Sequence, residues 1–102
     1  MSIDVPPESN ESAEIKQVRI DFNTKANKLV NDVRAKRGDA NAQILHEQIS
    51  SLASAAKRKD GGQLMNATKT LRNRTNALSA TIPDALEQIE AIEKLANRYA
   101  ER

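Results

Sequence analysis

The 102-residue chain has no cysteine and no tryptophan, a single histidine, and only Phe22 and Tyr99 as aromatics. Each absence removes a class of chemistry. Without cysteine there is no disulfide framework, Cys-ligated zinc site, iron–sulfur cluster or thiol nucleophile. His46 alone cannot satisfy a motif that needs two imidazoles. Two aromatics give no stacking platform for nucleic-acid bases. No apolar run approaches the roughly 18–20 residues that span a bilayer. The opening stretch, Met1-Ser2-Ile3-Asp4-Val5-Pro6-Pro7-Glu8, has neither a basic start nor an apolar core, so it does not read as a signal peptide. The expectation is a soluble cytoplasmic protein with no membrane insertion, no metal and no cofactor. Secretion by a signal-independent route stays open.

What is present is charge and helical periodicity. The 16 bases and 14 acids nearly cancel to +2, but they are unevenly spread. Residues 1–14, 15–38, 39–60, 61–81 and 82–102 carry −4, +5, 0, +3 and −2. Segments of opposite sign in so short a chain can complement each other within the fold.

Residues 1–9 hold two of the three prolines and several polar residues, and read as a flexible arm. Residues 10–102 read as one helical domain. In residues 10–37, Ile15, Val18, Phe22, Ala26, Leu29 and Val33 recur at steps of 3 and 4, one stripe of a helix. Ser9 or Ser12 can cap its start, and Gly38 can end it. Asp39 can cap a second helix over 40–59, striped by Ala42, Leu45, Ile49, Leu52 and Ala56. Asp60-Gly61-Gly62 reads as a break.

From there Leu64, Thr68, Leu71, Thr75, Leu78, Ile82, Ala85, Ile89, Ile92, Ala96 and Tyr99 alternate steps of 4 and 3, the heptad seam of a coiled coil. Pro83 interrupts it, and a proline inside a helix costs about 3 kcal/mol. Thr81-Ile82-Pro83-Asp84 matches a loose capping signature, so a fourth helix can start there. The fold expected is all-α: an antiparallel bundle of three to four helices over 10–37, 40–59, 63–81 and 82–101. The alternative joins the last two as one kinked helix of about 57 Å. Thr68 and Thr75 could form a polar layer, or bond back to carbonyls one turn earlier.

No catalytic constellation appears. His46 has Ala42 and Ser50 where a metal partner would stand four residues away. Glu87, Glu90 and Glu93 drift round their helix, and no Glu-x-x-His pair exists. Gly61-Gly62 lacks the Gly-Lys-Ser/Thr ending of a phosphate loop. The Trp-x-Gly turn of the small helical proteins of the type VII secretion route, whose size and helix–Gly–helix layout are similar, needs a tryptophan this chain lacks.

The function expected is therefore non-enzymatic: a helical protein-interaction module or assembly subunit that works by helix packing, with a protein partner or self-association. Leu86, Ile89, Ile92, Leu95 and Tyr99 either complete the core or dock on a second chain. The alternative is a small nucleic-acid-binding or regulatory protein using basic faces of the first and third helices, at Arg34, Lys36, Arg37, Lys69, Arg72 and Arg74. Asn23, Asn27 and Asn31 form an i,i+4 ladder leading to the first of these clusters, and Asn and Arg side chains read base edges. Against that, antiparallel packing would bring Lys57-Arg58-Lys59 to the acids Glu8, Glu11 and Glu14.

Overall fold

The computed structural model describes residues 2–102, and its first helix, α1 (Ala13–Arg37), begins where a cap is available. Ser12 Oγ accepts the Ile15 N–H at 3.1 Å, satisfying a donor that the first turn leaves free. Phe22, Ala26, Leu29 and Val33 are buried, while Ile15 and Val18 pack at the edge of the core. Arg19 and Val30, both outside the expected stripe, are buried too. Gly38 ends the helix with φ 87°, a conformation a side chain resists, and its N–H reaches the Arg34 carbonyl at 3.1 Å.

One residue suffices for that reversal. α2 (Asp39–Lys57) follows directly, so Asp39 is its first residue and not its cap. Its carboxylate instead lies 3.3 Å from Arg34 Nε. All five residues of the α2 stripe are buried at 1% exposure or less. The chain then breaks at 58–60: the Asp60 N–H bonds the Ala55 carbonyl at 3.0 Å, and Lys59 takes φ 57°. Asp60 caps α3 (Gly61–Leu78) by accepting the Gln63 N–H at 3.1 Å. Gly61 and Gly62 thus open a helix, where the sequence suggests a break. The aspartate preceding them decides this, because it supplies the cap.

Pro83 is a corner. Residues 79–84 separate α3 from α4 (Ala85–Ala100), and the single kinked rod does not form. Ile82 stays buried inside the corner, with its N–H on the Leu78 carbonyl at 2.8 Å, so the seam keeps its phase while the chain reverses. Leu71, Thr75, Leu78, Ile82, Ala85, Ile89, Ile92, Ala96 and Tyr99 are all buried, and each bulky one contributes about 1.5–3 kcal/mol. The capping signature at Thr81 is not used: the side chain at the α4 N-cap, Asp84, makes no capping bond, and Thr81 Oγ1 accepts from Arg37 Nη1 at 3.0 Å. Thr68 and Thr75 bond back to the Leu64 and Leu71 carbonyls, both at 2.9 Å, and form no polar layer.

The helices make an antiparallel bundle of 40 × 24 × 20 Å. α1 and α3 each pack on α2 and α4, and α2 and α4 meet across the middle, but α1 and α3 do not touch. No strand occurs among the described residues, and no helix there is long and apolar enough to cross a membrane.

Lys59 occupies the left-handed position after α2 that glycine normally takes. Lys59→Gly is expected to raise stability by about 0.5–1 kcal/mol, since relief of the side-chain clash outweighs the extra freedom of the unfolded chain. The urea midpoint measures it; a lower midpoint would refute the assignment.

Candidate interaction site

The most specific recognition on the molecule is of its own arm. Ile3 and Val5 are buried, although the sequence alone offers no reason to seat residues 1–9 on the bundle. Two asparagines of α1 supply one. The Ile3 N–H donates to Asn27 Oδ1 at 2.7 Å, and Asn27 Nδ2 donates back to the Ile3 carbonyl at 2.8 Å. Asn23 does the same for Val5, at 2.9 Å and 3.4 Å. Arg19 Nη1 adds a second donor to the Val5 carbonyl at 3.4 Å. The match is geometric. Four residues of helix advance about 6.0 Å, and two residues of extended chain about 6.6 Å. An i,i+4 pair of amides on a helix therefore meets every second residue of an extended segment running antiparallel to it.

The groove exists because α2 is narrow on this side. The arm lies along Ser50, Ala53, Ser54 and Lys57 of α2. Val5 sits beside Phe22, Ala53, Ala56, Ala96 and Tyr99, with a residual void of about 10 Å³, no more than a single water requires. Tyr99, expected on a partner-binding face, lines this socket.

Charge fixes the base of the arm. Glu8 accepts from Tyr99 Oη at 3.0 Å and pairs with Arg102, whose guanidinium lies 4.0 Å from the Tyr99 ring centroid. Glu11 takes a two-pronged bond from Arg19, Nε at 2.8 Å and Nη2 at 3.0 Å, and both side chains are buried. Glu14 pairs with Arg98. Glu8, Glu11 and Glu14 thus meet Arg102, Arg19 and Arg98, and the run Lys57-Arg58-Lys59 is not their direct partner. Lys57 acts on Glu8 through space, and Lys59 lines the same cleft as Glu8 and Glu11. The bonds from Arg102 and from Arg19 hold the Glu8 and Glu11 carboxyls below the usual carboxylate range. The Tyr99 hydroxyl is pushed up, by burial and then by its bond to Glu8.

The other residues singled out from sequence fall apart as a set. Ile89 and Ile92 are fully buried in the core and Leu95 packs at its edge, so α4 has no apolar face left for a second helix. Leu86 is exposed at 45%, apart from them. Of the basic positions, Arg34 serves Asp39 and Asn31, Arg37 serves Thr81, and Arg72 serves Glu93. Arg74 is half-buried, with Nε unpartnered. Lys36 and Lys69 are exposed. The two clusters stand on helices that do not touch, and Asn23 and Asn27 are spent on the arm.

Other hollows are plainer. An open groove of about 520 Å³ between α2 and α3 is lined by Gln48, Ser50, Ser54, Gln63, Asn66 and Thr70, with no acid–base pair. No group of three potential metal ligands exists among the described residues. No family model matches the chain, and neither a curated protein nor a solved structure matches it.

Two pH responses of opposite sign follow. Glu11 is held low, so its contribution to stability is complete above the ordinary value of 4.5 and is lost as pH falls through its lower folded value. Acid should therefore loosen the base of the arm, read as movement of the Arg19 Nε–H and Val5 amide signals in NMR. Glu11→Gln should remove the part of that movement seen at Arg19 Nε–H and leave the part that follows Glu8. Unaltered signals in wild type down to full carboxylate protonation would count against this.

Glu93 on α4 behaves oppositely. Burial pushes its carboxyl up against the opposing effect of Arg72, and its Oε1 has no partner. Its ionised form costs stability above the raised folded value, and the cost disappears as pH drops to 4.5 and below. Glu93→Met should be more stable than wild type at neutral pH, because Arg72 is 53% exposed and keeps its water. That advantage should shrink in acid, as followed by thermal melts. A gap that widens in acid would refute the reading.

Proposed function

We propose that the chain is a non-enzymatic protein-interaction module or assembly subunit. It holds an extended apolar segment against a helical face, in place of the helix-on-helix docking that α4 no longer offers. One observation carries this: both main-chain groups of alternate residues, Ile3 and Val5, are clamped by Asn27 and Asn23 while their side chains are buried. Recognition of an extended segment generally divides labour in this way. Main-chain bonds supply affinity, and sockets for alternate side chains supply specificity. The ligand class is an extended stretch with β-branched aliphatics two residues apart, followed by an acid that reaches Tyr99 and Arg102.

The test uses the full chain with its own arm disabled, Ile3→Asp/Val5→Asp, and a fluorescent peptide spanning Ser2–Glu8. With about 100-fold preference for docking and an effective concentration near about 1 mM in the intact chain, the peptide should bind at about 10 μM. Adding Asn23→Ala/Asn27→Ala should weaken it at least about tenfold, by the loss of four bonds. A peptide that fails to bind, or binds equally without the asparagines, would remove the basis of the proposal.

A further inference from the structure

We infer that the natural occupant of this groove in trans is the arm of a second copy, so that the protein self-associates by reciprocal exchange of residues 2–8. This deepens the capture reading and rests on it. The arm is a segment already fitted to the groove: Ile3 and Val5 in the sockets, their amides on Asn27 and Asn23, and Glu8 on Tyr99 and Arg102. Every one of those contacts joins the arm to side chains of α1, α2, α4 or Arg102. None depends on the arm and the groove belonging to one chain.

The connection has the form of a hinge. Pro6 and Pro7 lock their own φ and hold the preceding residues extended, so the exchanged segment is stiff through Pro7. The chain then reverses in the short stretch Glu8–Ser12, where Ser9 and Asn10 form an exposed turn. The side chains of the two acids flanking the turn have different anchors, Glu8 on Tyr99 and Arg102 and Glu11 on Arg19, although the Glu8 main chain also bears on the Glu11 carboxylate. Opening Ser9–Asn10 therefore carries Glu8 to the other copy and leaves Glu11 on its own helix. No buried ion pair is broken in the exchanged form, since Glu8 regains the same partners there.

Reciprocity closes the assembly. Each copy gives one arm and receives one, so the contact is a two-fold one and no groove is left for a third chain. An arm withdrawn without replacement would expose Phe22, Ala53, Ala56 and Ala96 together with two unpaired asparagine amides. The groove is thus costly to leave empty, and a second arm covers it with identical chemistry. What opposes exchange is the effective concentration of the chain's own arm, about 1 mM for a short tether. Exchange in the wild type is accordingly concentration-dependent.

The deciding experiment pairs two full-length variants that cannot close on themselves. Ile3→Asp/Val5→Asp has a groove and no competent arm. Asn23→Ala/Asn27→Ala has an arm and no competent groove. Circular dichroism first establishes that each is helical; Ile3→Ser/Val5→Ser replaces the first if it is not. Each variant alone should remain monomeric in sedimentation. Their mixture should give a one-to-one heterodimer by native mass spectrometry, at concentrations at least about tenfold below those at which wild type dimerises, because no tethered arm competes. A mixture that stays monomeric, while the Ser2–Glu8 peptide still binds the first variant, overturns exchange and leaves capture standing. A monomeric mixture with no peptide binding removes both.

Discussion

The molecule depends on how little volume α2 presents to its neighbours. Its inner stripe of Leu45, Ile49 and Leu52 fills the centre of the bundle, but Ser50, Ala53 and Ser54, beside Ala56, lie along the side that the arm covers. A helix with small residues along one side leaves a furrow against its neighbour, and protein interiors do not tolerate large voids. Phe22 and Tyr99, the chain's two aromatics, line it without closing it. Ile3 and Val5 supply the missing volume. Once an extended segment lies in an apolar furrow, its amides are cut off from water, and an unsatisfied buried amide is costly. Asn23 and Asn27 remove that cost. The narrow helix, the docked arm and the asparagine pair are successive consequences of one packing deficit.

The same economy explains the charge pattern. From sequence, the four acids of residues 1–14 and the bases of the later segments are expected to complement each other within the fold. In the fold, Glu8, Glu11 and Glu14 bind Arg102, Arg19 and Arg98, all at the end of the bundle where α1 begins and α4 finishes. Arg102 also donates to the Ala56 and Lys57 carbonyls, at 3.2 Å and 3.0 Å, at the C-terminal end of α2. One guanidinium thus ties together the end of α2, the ring of Tyr99 and the arm. Charge here organises one pole of the fold.

What could be read from the sequence is what periodicity encodes. The α2 stripe and the seam from Leu71 to Tyr99 are buried as their spacing predicts, and Gly38 ends α1 as its freedom at positive φ allows. Pro83 made the choice between corner and kink, and the local bonds around Ile82 let the seam survive it. Legibility stopped where a residue's role depends on something distant in the chain. Asn23 and Asn27 fit a base-reading ladder as well as a peptide clamp, because an amide edge offers one donor and one acceptor to either. Only the return of residues 2–5 along the helix distinguishes them. The alternation Ile3-x-Val5 was the available signal, two apolar residues at strand spacing beside an i,i+4 amide pair. It is short enough to be overlooked in a stretch that composition marks as disordered. Tyr99 and Ile92 share a stripe, yet one ends at a polar socket and the other in the core, a distinction that a period of 3.5 does not contain.

The asparagine clamp also sets what kind of selectivity the groove can have. A sheet edge offers fixed main-chain groups to any extended segment and so admits many. Here the main-chain partners are two side chains on a rigid helix, spaced for one residue in two, and register is pinned because a slip of one position would turn both apolar side chains out of the furrow. The socket for Val5, walled by alanines, a phenylalanine and a tyrosine with about 10 Å³ to spare, admits a β-branched aliphatic and little more. Overfilling such a wall costs about 1–3 kcal/mol. That is comparable to the about 100-fold preference expected for the docked arm, so a single enlarged side chain at this position would decide between a docked and an undocked segment. Selectivity of this strength needs no large interface, only a contact held by a small margin.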